Sequence, residues 1–162
     1  GRTLSATDPA LFSEMEANAR GDHRLEWVIA DGPQTDAYPI SVISRQTVGA
    51  LAEALSSDAP VSNTDSARRY RPNIVLDLPE TGGFAEDAWA GRTLRLGDTV
   101  EVEIAERDAR CAMITLDPDS AERTPRVLEL VNRERDGTLG VYGTVRQGGM
   151  IRLGDPVRLD GD

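Results

Sequence analysis

The chain has no lysine, one cysteine and one histidine in 162 residues. All 18 basic residues are therefore arginine, which is what a GC-rich genome produces. Without lysine, neither a Schiff-base nucleophile nor a P-loop phosphate clamp is available. A single cysteine permits no internal disulfide, so a reducing compartment, the cytoplasm, is the expected location. The lone histidine, His23, lies in a polar turn and leaves no zinc site of the usual kind. No Gly-x-Ser-x-Gly stands with it to suggest a hydrolase triad. Aromatic residues make up 4% of the chain. No stretch approaches the ~20 consecutive apolar residues of a membrane span, and no membrane partner is expected. Basic charge is also short: 28 acidic residues against 18 basic ones give a net charge of −10. That argues against nucleic acid, whose backbone requires a basic face.

What is present reads as many short strands with a few helices. Residues 7–18 form a helix with Thr7 or Asp8 as cap and Pro9 in its first turn. Strands are expected at 24–32 and 38–43, then a helix over 44–55 capped by Ser44, with Val48, Leu51, Ala52 and Leu55 on one face. A small, polar loop follows. The run 68–78 reads as a strand and 79–91 as a Gly-rich loop anchored by Phe84 and Trp89. Val100, Val102 and Ile104 alternate with acidic residues, the period of a half-buried strand. Further strands are expected at 111–116 and across 139–159, with a helix between them capped by Thr124. The sequence Arg-Leu-Gly-Asp occurs at 95–98 and again at 152–155, one tight turn into a strand used twice. The pattern points to an α+β, mainly β domain, a partly closed barrel, and not to a parallel α/β sheet.

Three places carry candidate chemistry. Cys111 follows Arg110, with Arg107 nearby, where a loop enters an apolar run. It is either an inert core residue or a thiolate whose cationic neighbours lower its pKa. Arg68, Arg69 and Arg71 lie within four residues. Their guanidinium forks suit a phosphate, or they pair with surface acids. Pro72 favours an extended backbone at Arg71, which would place Arg69 and Arg71 on one face. Glu86 and Asp87 either cap turns and pair with arginine or supply a catalytic acid.

These motifs occur in an order that resembles the MOSC domain. "RRYRPN", "AEDAW", "RC", "DP" and "GVY" follow one another over residues 37–159, with Tyr70 where phenylalanine is usual. The resemblance is greatest to the branch containing the bacterial YcbX proteins and the mitochondrial amidoxime-reducing component. It implies a MOSC-type barrel at 37–162, with 1–36 a remnant of the N-terminal MOSC-associated region. The Tyr-Pro-Val-Lys-Ser-like and Gly-Asp-Arg motifs usual upstream do not occur here.

The resemblance also implies a molybdenum–molybdopterin cofactor. Cys111 would be the catalytic residue and metal ligand; Arg71, Asn73, Arg110 and Tyr142 would bind the cofactor. The implied activity is reduction of N-hydroxylated or N-oxygenated small molecules, with electrons from a protein partner. Two other readings stand beside it: a sulfur carrier holding a persulfide on Cys111, and a binding module without cofactor.

Overall fold

The computed structural model describes residues 8–18, 37–56, 61, 64–78 and 82–160. The chain divides into two compact units, Gly1–Gln34 and Thr35–Asp162. In the first, helix α1 spans Pro9–Asn18, with the Asp8 carboxylate accepting the Ala10 N–H at 2.9 Å as its cap. The strand expected at 24–32 lies outside the described residues.

The second unit is built on one mixed sheet. Its strands are β1 (Ile40–Ser44), β2 (Ile74–Leu76), β3 (Thr93–Leu96), β4 (Val100–Ala109), β5 (Thr138–Gln147) and β6 (Val157–Leu159), in the order β2-β1-β5-β4-β3-β6. Only β1 and β2 run parallel; every other pair is antiparallel. Irregularities in the β4–β5 ladder after Glu101, Ile104 and Arg107 bend the two longest strands, as bulges do. The sheet curls into a half-barrel with helices against it, the mainly β α+β class expected.

Alternation on the strands separates two cores. Val42, Leu94, Val102, Ile104 and Val141 pack together with Trp89 in one cluster. Ile43, one residue from Val42, faces the opposite cluster with Leu51, Leu55, Val127 and Val131, which come from helices α2 (Arg45–Ser56) and α3 (Arg126–Arg135). Each such buried side chain contributes roughly 1.5–3 kcal/mol. Leu139 and Val141 should share a face by strand period, yet they join opposite clusters. Gly140 between them has φ +75°, which inverts the parity.

Helix α2 starts where Ser44 caps it: the Ser44 Oγ accepts the Thr47 N–H at 3.0 Å. Helix α3 begins one residue later than the sequence suggests, with Pro125 and not Thr124 at the capping position, and closes through Asp136 and Gly137 at positive φ. The two Arg-Leu-Gly-Asp segments are both turns, with Gly97 at φ +61° and Gly154 at φ +90°. They abut, the Gly97 N–H donating to the Pro156 carbonyl at 2.9 Å.

Two expected strands are corrected. Residues 112–115 form a 3-10 turn, not part of a strand at 111–116. A short apolar run does not distinguish a strand from a buried turn, and here Thr115 Oγ1 bonds back to the Ala112 carbonyl at 2.6 Å. Of 68–78 only β2 is strand: Ala67–Tyr70 is another 3-10 turn. Arg71 is left-handed (φ 52°, ψ 40°), not extended, because buried contacts of Arg69 and Tyr70 override the bias of Pro72.

Candidate functional site

The three clustered arginines meet different fates. Arg69 is buried: its guanidinium pairs with Asp117 at 3.2 Å and donates to the Ile114 carbonyl at 3.3 Å, with the pair 0% and 3% exposed. Asp117 also accepts the N–H groups of Asp119 and Ser120, each at 2.9 Å, so the Asp-Pro motif is a folded corner bolted to Arg69. Arg68 makes an exposed pair with Asp119 at 2.7 Å. Arg71 is exposed, and among the described residues its side chain makes no ion pair or hydrogen bond. The expected shared face of Arg69 and Arg71 is therefore absent; the 3-10 turn sends one inward and leaves the other at the surface.

Cys111 is an exposed free thiol at the start of the 3-10 turn Ala112–Thr115. Its neighbour Arg110 points inward. The Arg110 Nε donates to the Leu139 carbonyl at 2.8 Å, Nη1 donates to the Tyr70 carbonyl at 2.7 Å, and Nη2 pairs with Asp108 at 2.7 Å. Asp108 accepts the hydroxyl of Ser41 at 2.5 Å, across the sheet from β1. Burial lowers the Arg110 pKa from its ordinary value; Asp108, then Tyr142, Tyr70 and Cys111, draw it back up. Arginine stays charged through such shifts, so a fixed positive charge lies beneath both Cys111 and Tyr142.

Tyr142, nearly buried on β5, stands opposite Ser41 in register, and its ring meets that of Tyr38 at 5.7 Å between centroids. Asn73 works along the backbone: its side-chain oxygen accepts the Ser41 N–H at 2.7 Å and its N–H donates to the Ser41 carbonyl at 2.9 Å, extending the β1–β2 ladder. Ser41 thus touches Asn73 and Asp108 directly and Arg110 through Asp108. Neither Ser41 nor Asp108 stood out in the sequence. The spacing Asp108-x-Arg110, two residues apart at the end of a strand and so on one face, is the signal that would have found the pair.

The acids of "AEDAW" are structural. Glu86, 0% exposed, accepts the Ser44 N–H at 2.9 Å and hydroxyl at 3.0 Å, bracketing the β1–α2 junction. Asp87 pairs with Arg107 and Arg135. Burial raises the Asp87 pKa and the two guanidinium groups oppose that rise.

A cleft of about 300 Å³ opens beside this arrangement, lined by Arg68, Arg69, Arg71, Met113, Leu116 and Asp117 among others. Arg71 and Met113 reach it; Cys111, two residues before Met113, is not part of its lining. Among the described residues no three His, Cys, Asp or Glu side chains gather to hold a metal ion. A metal bound at Cys111 must therefore arrive with ligands of its own. A pterin-borne metal does so, and an uncommitted arginine beside a cleft suits its anionic part. Among the described residues, no helix is long and apolar enough to cross a membrane.

Comparison with known proteins agrees with these motifs. The MOSC domain model matches residues 31–158. The mitochondrial amidoxime-reducing component 1 of Mus musculus is 31% identical over 78% of this chain and 38% of the relative. Its counterpart in Danio rerio is 30% identical over 75% of the chain and 37% of the relative. The molybdenum cofactor sulfurase of Danio rerio is 33% identical over 62% of the chain and 13% of the relative. The chain thus spans under two fifths of the length of these relatives. The crystal structure of YiiM from Geobacillus stearothermophilus superposes with a TM-score of 0.48 at 17% identity, over 75% of this chain and 54% of that one.

Proposed function

From the premise that this chain belongs to the MOSC domain family, we propose that it forms the molybdenum-cofactor site of an oxidoreductase that reduces N-hydroxylated or N-oxygenated small molecules. The observation that carries the reading is an exposed thiol, Cys111, and an exposed arginine, Arg71, without an ion pair among the described residues: Cys111 directly follows Arg110, whose buried guanidinium holds the Tyr70 carbonyl that leads into Arg71. Cys111 would ligate the metal, and Arg71 would hold the anionic part of the cofactor at the cleft. Tyr142, packed on Tyr38, would form a wall of the site, and Asn73 would fix the strand that follows Arg71. The cofactor, when bound, supplies two-electron chemistry that no side chain of this protein can. A redox protein would deliver the electrons, and the reducing cytoplasm is the compartment that keeps a lone ligand thiol available.

The test is elemental analysis of protein expressed from the full gene in a host that makes the cofactor. Molybdenum near one atom per chain, lost in Cys111→Ser and weakened in Arg71→Ala, supports the reading; wild-type protein without molybdenum overturns it. The sulfurase relative and the exposure of Cys111 favour one second reading, a persulfide carrier. Intact-mass measurement decides it, through a one-sulfur gain that vanishes in Cys111→Ser and on reduction.

A further inference from the structure

Arg110 reaches more of this region than any residue proposed to touch a ligand. It immediately precedes Cys111, and its Nη1 holds the carbonyl of Tyr70, the peptide that leads into Arg71. Its other donors go to Leu139 and Asp108, and its backbone N–H donates to the Gly137 carbonyl at 2.8 Å. Asp108 is itself fixed by Ser41, whose backbone is bonded to Asn73. Arg71, meanwhile, sits left-handed immediately before a proline, a conformation that persists only where surroundings impose it. The bond to the Tyr70 carbonyl is part of that imposition. A planar fork holding two carbonyls and a carboxylate is something lysine, a single point charge, cannot reproduce.

We propose that Arg110 is the positioning residue of the site and not the cofactor contact that the resemblance implies: its guanidinium nitrogens are all engaged within the protein, and it ties the Arg71 peptide to the Cys111 turn, so that arginine and thiol keep one fixed separation. The purpose of that separation rests on the function proposed above. The test therefore uses the full chain without cofactor, so that molybdenum retention and the role of Arg110 can fail independently.

Arg110→Lys, Arg110→Gln and the milder Asp108→Asn are compared with wild type by amide hydrogen exchange and by the rate of Cys111 alkylation with iodoacetamide. The Arg71 N–H is normally held by the Arg68 carbonyl at 3.2 Å, so its exchange reports on this turn. In Arg110→Lys and Arg110→Gln alike we expect Arg71 exchange to quicken by about tenfold or more and the Cys111 rate to change severalfold, while Val127 and Val131 in α3 exchange as before. Asp108→Asn should show the same pattern at smaller size, and it carries the test if the Arg110 variants do not fold. Wild-type behaviour at both Arg71 and Cys111 would overturn the proposal. So would full rescue by lysine, which would make charge and not the fork the cause. Uniform acceleration of all amides would likewise overturn it, reducing Arg110 to a general stabiliser.

Discussion

Arg69 and Arg71 are two residues apart and do opposite things for the fold. Replacing Arg69 with methionine strips a buried carboxylate of its partner, and such losses run to about 3–5 kcal/mol. Urea unfolding should show that drop. At Arg71 the sign reverses. A left-handed non-glycine residue carries about 1–2 kcal/mol of strain, and glycine returns part of the relief through its own entropy. Arg71→Gly should therefore raise unfolding free energy by about 0.5–1 kcal/mol, while weakening molybdenum retention if the site is the one proposed. A loss of stability would mean that the Arg71 side chain is doing structural duty. For Cys111→Ser, an exposed substitution, the unfolding free energy should hold to within about 0.5 kcal/mol of wild type, checked by urea unfolding.

Elements with a clear period were legible in the sequence: the alternating run of β4, the apolar face of α2 and the glycine turns flanking β3 and β6 all fold as their residues suggest. The 3-10 turns at 67–70, 85–89 and 112–115 were not, because one turn is too short to show a period. What holds them is long-range: Arg69 to Asp117, Glu86 to Ser44 and Arg110 to Tyr70 each join residues about 40 or more apart. For the same reason the exposure of Cys111 could not be deduced from its apolar neighbours. Gly140, the glycine of the Gly-x-Tyr motif, shows how a motif residue can serve the element first. Its φ is +75°, and a Cβ there would fall 2.6 Å from the Val42 carbonyl oxygen. Gly140→Ala should lower stability by about 2 kcal/mol or more, since it combines left-handed strain with a backbone clash. Thermal unfolding checks this, and a change below half that size would mean that β1 and β5 can separate without penalty.

At the scale of the whole molecule, the half-barrel and the helices meet over a core that includes Tyr70, fully buried between α2, α3 and the 3-10 turns. Its hydroxyl donates to the Thr64 carbonyl at 3.0 Å. Burial pushes the phenol up from 10.0 to about 12, with Arg69 and Arg110 opposing the rise. A pKa raised in the folded state means that folding favours the protonated phenol. Its contribution is fully present below pH 10 and is lost as the pH climbs through about 12. A shift of two units corresponds to about 3 kcal/mol, a sizeable share of what a domain of this length has to lose. Unfolding free energy should therefore fall steeply between pH 10 and 12, and Tyr70→Phe should flatten that fall. The variant begins lower, by about 1 kcal/mol for the lost hydrogen bond to Thr64. The two curves should consequently cross inside the window, leaving the phenylalanine protein the more stable at its alkaline end. Parallel curves would show that Tyr70 stays neutral until the fold is already open, with other groups driving alkaline unfolding.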